Sequence, residues 1–263
     1  MKALINGIQL AYDDVGEGLP VLWIHGYPLD RSVWSRQVSG LGSGLRHIVP
    51  DLRGFGQSDA PETGYPMELY AADLAALLDL AGVDQAVVAG LSMGGYIALA
   101  FARVYPDRLR ALILCDTRAG PDSAEARANR EAGARRALAE GVPPVVEPLI
   151  PKLLAPGARP ELVDSVRQML LASRPAGVAG ALRGMAMRSD ASPGLSAIAV
   201  PTLVVVGAED ELMPVAEARA MADAIPDAEL VVVPDAGHLA PLEQPEAVNR
   251  AVRAFLDRLQ ASP

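Results

Sequence analysis

Val87-Val88-Ala89-Gly90-Leu91-Ser92-Met93-Gly94-Gly95-Tyr96-Ile97-Ala98-Leu99-Ala100 reads as a buried strand, a sharp turn, a serine and then a buried helix. Gly90 and Gly94 remove side chains two residues either side of Ser92, so strand and helix can pack closely while the serine adopts a strained backbone and projects its hydroxyl. That is the pattern of a nucleophile elbow. Its weight comes from the flanks, an apolar run before the serine and the small residues Ala98, Ala100 and Ala102 after it.

A serine hydroxyl is a weak nucleophile at neutral pH, so this reading needs a base for its proton and a group to orient that base. The chain has three histidines, His25, His47 and His238. His238 ends the run Val231-Val232-Val233-Pro234-Asp235-Ala236-Gly237-His238, a β-branched strand leading into a Pro/Gly loop ahead of a helical pattern, which is the expected seat of the base. His25 follows Val21-Leu22-Trp23-Ile24 and precedes Gly26, which suits a tight turn beside a reacting carbonyl. His47 enters the strand Ile48-Val49 without loop context and reads as structural.

With the order serine, acid, histidine, the orienting carboxylate comes late in the chain. Thr202-Leu203-Val204-Val205-Val206-Gly207 is a buried strand with Ala208-Glu209-Asp210-Glu211 in the loop beyond it. Asp210, ahead of the helix-starting Pro214, is the expected acid, holding the imidazole in one tautomer. Asp116, after Leu112-Ile113-Leu114-Cys115, stands as the alternative, and Glu209 and Glu211 read as solvated neighbours. Two backbone donors complete the arrangement. The N–H of Met93 opens the helix after the serine and that of Tyr27 lies in the loop after His25-Gly26, so the pair is expected to form an oxyanion hole. The side chains of Tyr27, Met93 and Met213 are then free to shape the substrate pocket, with Met169, Met185 and Met187 as further adaptable apolar groups.

Taken in order, His25-Gly26-Tyr27-Pro28, Asp51-Leu52-Arg53-Gly54-Phe55-Gly56-Gln57-Ser58, Gly90-Leu91-Ser92-Met93-Gly94-Gly95, Gly207-Ala208-Glu209-Asp210 and Gly237-His238 resemble the α/β-hydrolase superfamily over nearly the whole length. The strings His25-Gly26-Tyr27-Pro28-Leu29-Asp30 and Leu91-Ser92-Met93-Gly94-Gly95 are most similar to the group of small carboxylesterases, 3-oxoadipate enol-lactonases and cofactor-free haloperoxidase-like hydrolases. Relatives that displace at saturated carbon, the haloalkane dehalogenases and epoxide hydrolases, use a carboxylate nucleophile. Serine stands here instead, so the matching chemistry is acyl transfer, usually to water.

Length and composition suit one catalytic domain with an insertion: 263 residues, 51% hydrophobic and only 4% aromatic, describe one large, aliphatic, alanine-rich α/β core. Asn6-Gly7 signals an antiparallel hairpin between Lys2–Ile5 and Ile8–Asp13. Apolar runs then recur at Val21–Ile24, Ile48–Val49, Ala86–Ala89, Ala111–Leu114, Thr202–Val206 and Leu230–Val233, alternating with helical stripes such as Leu74, Leu77, Leu78, Ala81 and Val248, Ala251, Val252, Phe255, Leu259. The resulting expectation is an α/β-hydrolase fold: a mostly parallel, twisted, eight-stranded sheet with helices on both faces.

Residues 118–190 break the alternation, because they lack β-branched runs, are rich in proline and carry the helical stripe Leu162, Val166, Met169, Leu170. They are expected to form a helical cap inserted into a core made of residues 1–117 and 191–263. The insert holds 11 Lys and Arg against 8 Asp and Glu, and the remainder 12 against 24, a contrast that would favour an anionic or polar substrate tail. Arg53, in the loop Asp51–Asp59, is expected to pair with a nearby carboxylate rather than bind phosphate.

The net charge of −9 argues against nucleic acid as a partner, and the polar start Met1-Lys2-Ala3-Leu4-Ile5-Asn6-Gly7 resembles neither a signal peptide nor a membrane span, so a cytoplasmic location is expected. The single Cys115 excludes an internal disulfide and reads as a packing residue. No metal-ligand cluster or phosphate loop is present in the sequence, so no metal and no cofactor are expected. The expected partner is a small-molecule ester or lactone, with no membrane involved, and the reading leaves room for a homodimer. Carbon–carbon bond hydrolysis of a diketone-type substrate and a ligand receptor with little turnover remain alternatives on the same residues.

Overall fold

Asn6 and Gly7 take φ values of 46° and 80°, the left-handed pair that a two-residue hairpin turn requires, and join β1 (Lys2–Ile5) to β2 (Ile8–Gly16). In the computed structural model, which describes residues 1–261, this hairpin begins a sheet whose other strands are β3 (Leu19–Ile24), β4 (Leu45–Pro50), β5 (Ala86–Leu91), β6 (Leu109–Cys115), β7 (Thr202–Gly207) and β8 (Ala228–Val233). The eight strands lie in the order β1-β2-β4-β3-β5-β6-β7-β8. The β1–β2 and β2–β4 pairs are antiparallel and every pair from β4 to β8 is parallel.

The central strands β5 and β7 are buried at every residue, as unbroken apolar runs must be when helices cover both faces of a parallel sheet. β8 differs from the buried strand its sequence suggests, because only Val233 is fully buried. Its physical reason is position: β8 is the edge, with β7 as its one neighbour.

The covering helices are α1 (Ser35–Gly40), α2 (Met67–Leu80), α3 (Met93–Val104), and, after an insert, α9 (Val215–Ala224), α10 (Ala240–Glu243) and α11 (Pro245–Ala261). On α2, Leu74, Leu77 and Leu78 are buried; on α11, Val248, Val252, Phe255 and Leu256 are, so both helical stripes face the core.

Between β6 and β7 run α4 (Ala124–Glu140), α5 (Pro143–Val146), α6 (Ile150–Leu153), α7 (Pro160–Leu171) and α8 (Pro175–Ala186), with no strand among them. Pro143, Pro144, Pro151, Pro160 and Pro175 stand in the first turns of α5 through α8, where a missing N–H costs no hydrogen bond. Ser123 caps α4 by accepting the Ala126 N–H, and Gly141, at φ 87°, ends it. Val166 and Leu170 are buried, with Leu162 and Met169 packed beside the core, as their spacing predicts. Met185 is buried and Met187 is 61% exposed. At the base of the insert the Ala191 N–H donates to the Ala119 carbonyl at 3.1 Å, so the two ends of the segment meet. No helix among the described residues is long and apolar enough to cross a membrane.

Candidate active site

Ser92 links β5 to α3 with φ 54° and ψ −114°, a backbone conformation that L residues rarely hold. Its surroundings leave it no choice. A Cβ at Gly90 would lie 2.2 Å from the Gly94 carbonyl oxygen, and one at Gly94 would lie 2.3 Å from the Ile24 oxygen and 2.8 Å from that of His25. Glycine at both positions is therefore what lets α3 start directly against β5 and β3. From the β6 end, the Cys115 carbonyl accepts the Ser92 N–H at 2.9 Å, and the Thr117 hydroxyl donates to the Ser92 carbonyl at 2.8 Å.

The C-terminal ends of β3, β5, β7 and β8 deliver the residues singled out in the sequence to one place, as parallel sheets do. His238 Nε2 is 2.8 Å from Ser92 Oγ, and His238 Nδ1 is 2.8 Å from Asp210 Oδ2. The other carboxylate oxygen of Asp210 accepts the Leu212 and Met213 N–H groups at 2.8 and 2.9 Å. An ionised carboxylate only accepts, so the Nδ1 proton belongs to the bond with Asp210 and the Nε2 lone pair faces the serine hydroxyl. In that tautomer the imidazole can take the hydroxyl proton and later return it to a leaving group. The loops carrying acid and imidazole touch through backbone: a Cβ on Gly207 would sit 2.1 Å from the Gly237 carbonyl oxygen.

Asp116, the alternative acid, lies at the end of β6 with φ 46°. It accepts the Gly207 N–H at 2.8 Å and, among the described residues, makes no bond to His238. Burial, helped by the charge of Asp210, pushes its carboxyl well above the usual range. Glu209 and Glu211 are exposed.

On the other side of the serine, a Cβ on Gly26 would lie 3.2 Å from Ser92 Cβ, so the loop after β3 rests against the elbow. Tyr27 follows in that loop and Met93 opens α3; among the described residues neither N–H has a backbone or side-chain acceptor. Among the described residues the buried Tyr27 hydroxyl has no partner, and burial raises its pKa while the charge of Arg130 pulls the other way. The Met93 side chain is buried, and the Met213 sulfur lies 4.0 Å from the Tyr96 hydroxyl. A cavity of about 370 Å³ lies beyond Tyr96, among Leu99, Arg103, Leu195 and Ile198; neither Ser92, Asp210 nor His238 lines it.

The remaining histidines are elsewhere. His25 does not face the serine: it is fully buried, its Nδ1 is 2.8 Å from the Gly26 carbonyl, and its Nε2 accepts the Leu52 N–H at 3.0 Å. It thus ties the β3 loop to the β4 loop, and burial lowers its pKa. His47 accepts from the Trp23 indole N–H at 3.1 Å and is likewise pushed down by burial. Arg53 forms a bidentate buried pair with Asp73, at 2.6 and 2.8 Å.

The segment between β6 and β7 bonds to these loops. The Ser173 hydroxyl donates to the Pro28 carbonyl, Arg174 to the Ser58 carbonyl, and the Tyr65 N–H to the Gly180 carbonyl. Its charge is organised around Asp122, whose buried carboxylate meets Arg118, Arg130 and Arg188. The Arg188 guanidinium also covers the Tyr96 ring at 4.1 Å. In the sequence only Arg118, four residues away, stands close to Asp122, and its partners Arg130 and Arg188 lie 8 and 66 residues away.

A sequence profile for the alpha/beta hydrolase fold matches residues 20–245. The chain is 30% identical over 230 residues to 3-oxoadipate enol-lactonase 2 of Acinetobacter baylyi, covering 86% of this chain and 84% of the relative. Among solved structures it superposes with TM-score 0.96 on a thermophilic esterase from Thermogutta terrifontis, solved with malate bound, at 48% identity over 98% of each chain. On the enol-lactonase from Burkholderia xenovorans LB400 the TM-score is 0.90, at 29% identity, covering 98% of this chain and all of the other. With the profile spanning most of its length and the strand order of that fold, the chain belongs to the α/β-hydrolase family and is a hydrolase.

Proposed function

We propose that this hydrolase cleaves small carboxylic esters or lactones through an acyl-enzyme on Ser92. The observation that carries the proposal is the continuous contact from Asp210 through His238 to the Ser92 hydroxyl, 2.8 Å at each link, on a serine held at positive φ. Ser92 Oγ attacks the carbonyl carbon as its proton passes to His238 Nε2. The carbonyl oxygen, now negative, is held by the N–H groups of Tyr27 and Met93. Collapse expels the alcohol, which takes the proton from Nε2; in a lactone the alcohol stays attached to the acyl group. Water then repeats the sequence against the acyl-enzyme, its proton passing through His238, and releases the acid.

In this reading residues 118–190 are a cap on a core of residues 1–117 and 191–263, supported by the bond between Ala119 and Ala191 at the neck. The side chains of Tyr27, Met93 and Met213 border the acyl site. Three arginines share the single carboxylate of Asp122, and the charge of Arg130 reaches the Tyr27 hydroxyl, which favours substrates with a second, anionic group. The malate in the Thermogutta esterase, a small dicarboxylate, accords with that bias.

The test is multiple turnover on a panel of p-nitrophenyl esters from acetate to decanoate, with Ser92→Ala alongside. The expected result is a short-chain optimum in the natural protein and near-complete loss in the variant. Substantial ester hydrolysis by Ser92→Ala, or a single turnover by the natural chain, would overturn the assignment.

A further inference from the structure

Glu243 takes no part in the proposed chemistry, yet its carboxylate holds the histidine loop from both sides. One oxygen accepts the Gly237 N–H at 2.9 Å and the Leu239 N–H at 3.3 Å, the N–H groups of the two residues on either side of His238. The other oxygen accepts the N–H of Ala155 at 2.7 Å, in the loop between α6 and α7 of the insert. At the same point the insert presses directly on the histidine loop, because a Cβ at Gly237 would lie 2.6 Å from the Ala155 nitrogen and 2.8 Å from the Leu154 carbonyl carbon. The next residue, Gln244, fastens the start of the loop by donating to the Asp235 carbonyl at 3.0 Å.

Bonds from N–H groups to an ionised carboxylate are roughly twice as strong as neutral ones, and three of them on one side chain make a rigid junction. His238 needs such a junction. Its imidazole must meet an acid and a hydroxyl at the same time, and its backbone belongs to a loop beyond an edge strand, held on the acid side by the Glu209 N–H donating to the Ala236 carbonyl at 2.9 Å.

We propose that Glu243 is a positioning residue that makes the insert and the imidazole one mechanical unit, so that seating of the loop around Ala155 on Gly237 sets the alignment of His238 with Ser92. The inference rests on the reading of His238 as the base. A carboxylate that merely satisfied buried N–H groups would matter for stability alone. A positioning residue changes turnover in protein that is still folded.

The experiment compares the full-length protein with Glu243→Ala and Glu243→Gln. Near-UV circular dichroism establishes that each is folded. Read out are kcat and KM on p-nitrophenyl acetate, the rate at which a fluorophosphonate labels Ser92, and the downfield proton resonance of His238 Nδ1–H. Misplacing a catalytic group by an ångström costs on the order of a hundredfold, so Glu243→Ala is expected to lose about tenfold to a hundredfold in kcat with KM changed less than about threefold. Labelling should slow by the same factor, and the resonance should shift or broaden. Glu243→Gln keeps one oxygen, enough for the histidine loop or for Ala155 but not both, and falls between; it carries the test if the alanine variant does not fold. Folded variants with kcat, labelling rate and resonance like those of the natural protein would overturn the proposal. Ser92→Ala run alongside separates the two failures: its continued turnover would remove the nucleophile, while the Nδ1–H resonance in the Glu243 variants still reports on the junction.

Discussion

Asp210→Asn is the substitution for which the structure dictates the chemical outcome most closely. One oxygen of Asp210 is committed to the Leu212 and Met213 N–H groups, and the other faces His238 Nδ1. An amide in this place keeps its oxygen toward the two donors and turns its NH2 toward the imidazole. The reverse orientation would lose two hydrogen bonds, each worth about 1 kcal/mol, and leave two donors facing an NH2, at about 1–3 kcal/mol for each unsatisfied group. Donating to Nδ1, the amide draws the imidazole proton to Nε2, and an Nε2–H cannot accept the proton of Ser92. The loss expected from such a tautomer is about ten-thousand-fold in kcat, or about 5.5 kcal/mol of barrier. KM should hardly move, because Asp210 is buried behind the imidazole. Steady-state kinetics on p-nitrophenyl butyrate at neutral pH give both constants, and near-UV circular dichroism checks the fold. Asp116→Asn is the contrast: with no bond to His238, its kcat should stay within about threefold of the natural value. The reasoning is refuted if Asp210→Asn retains more than about a tenth of the turnover, or if Asp116→Asn is the crippled enzyme.

Gly94→Ala places a methyl 2.3 Å from the Ile24 carbonyl oxygen, so it should cost about 1–3 kcal/mol and also reduce kcat by pushing the β3 loop from the serine; Gly120→Ala, with nothing within 4 Å, should do neither. Thermal unfolding and ester turnover check both, and a natural Tm for Gly94→Ala would contradict the close approach. Asp122 supplies a pH prediction. Burial alone would raise its carboxyl, but hydrogen bonds and charge from Arg130 and Arg188 outweigh burial and hold it at about 2. Its folded value lies below the unfolded value of about 3.9, so the fold gains roughly 2–3 kcal/mol above that pH and loses it as the pH falls toward 2. Urea unfolding of the natural protein and Asp122→Asn should differ by about 3–5 kcal/mol at neutral pH, and the gap should narrow between about pH 4 and pH 2. A gap constant across that range would deny the network its electrostatic origin.

The sheet was legible because its signals are local. Asn6-Gly7 demands a left-handed pair whatever surrounds it, and the run from Thr202 to Gly207 has no polar side to turn to water and is buried on both faces. The limits appear where burial depends on neighbours. Leu230 to Val233 carries the same β-branched composition, yet lies at an edge, and no residue within it says so. The site divides in the same way. The strained turn at Ser92 is written in two glycines within two residues. By contrast, the cluster around Asp122 joins three stretches of the insert, and a charge count of that segment sees only its net excess of arginine. Glu243 lies between these cases: a glutamate in the short helix after the histidine loop hints at capping, but its bond to Ala155 spans 88 residues.

Hydrogen-bond accounting then distinguishes the three histidines, which sequence context could only rank. His25 looked suited to a place beside the reacting carbonyl, since Gly26 and Tyr27 follow it, and its loop does rest on Ser92. Both of its nitrogens are occupied, however, one by the Gly26 carbonyl and the other as acceptor of the Leu52 N–H. Taking up a proton would set that nitrogen against an N–H, and burial already disfavours the charge. His47 gives its Nδ1 lone pair to the Trp23 indole and is penalised by burial in the same way. Only His238 has one nitrogen against a carboxylate, which accommodates an imidazolium, and the other against a hydroxyl, which has a proton to give. A base must be able to gain a proton without losing a bond it already depends on, and of the three imidazoles in this chain His238 alone meets that condition.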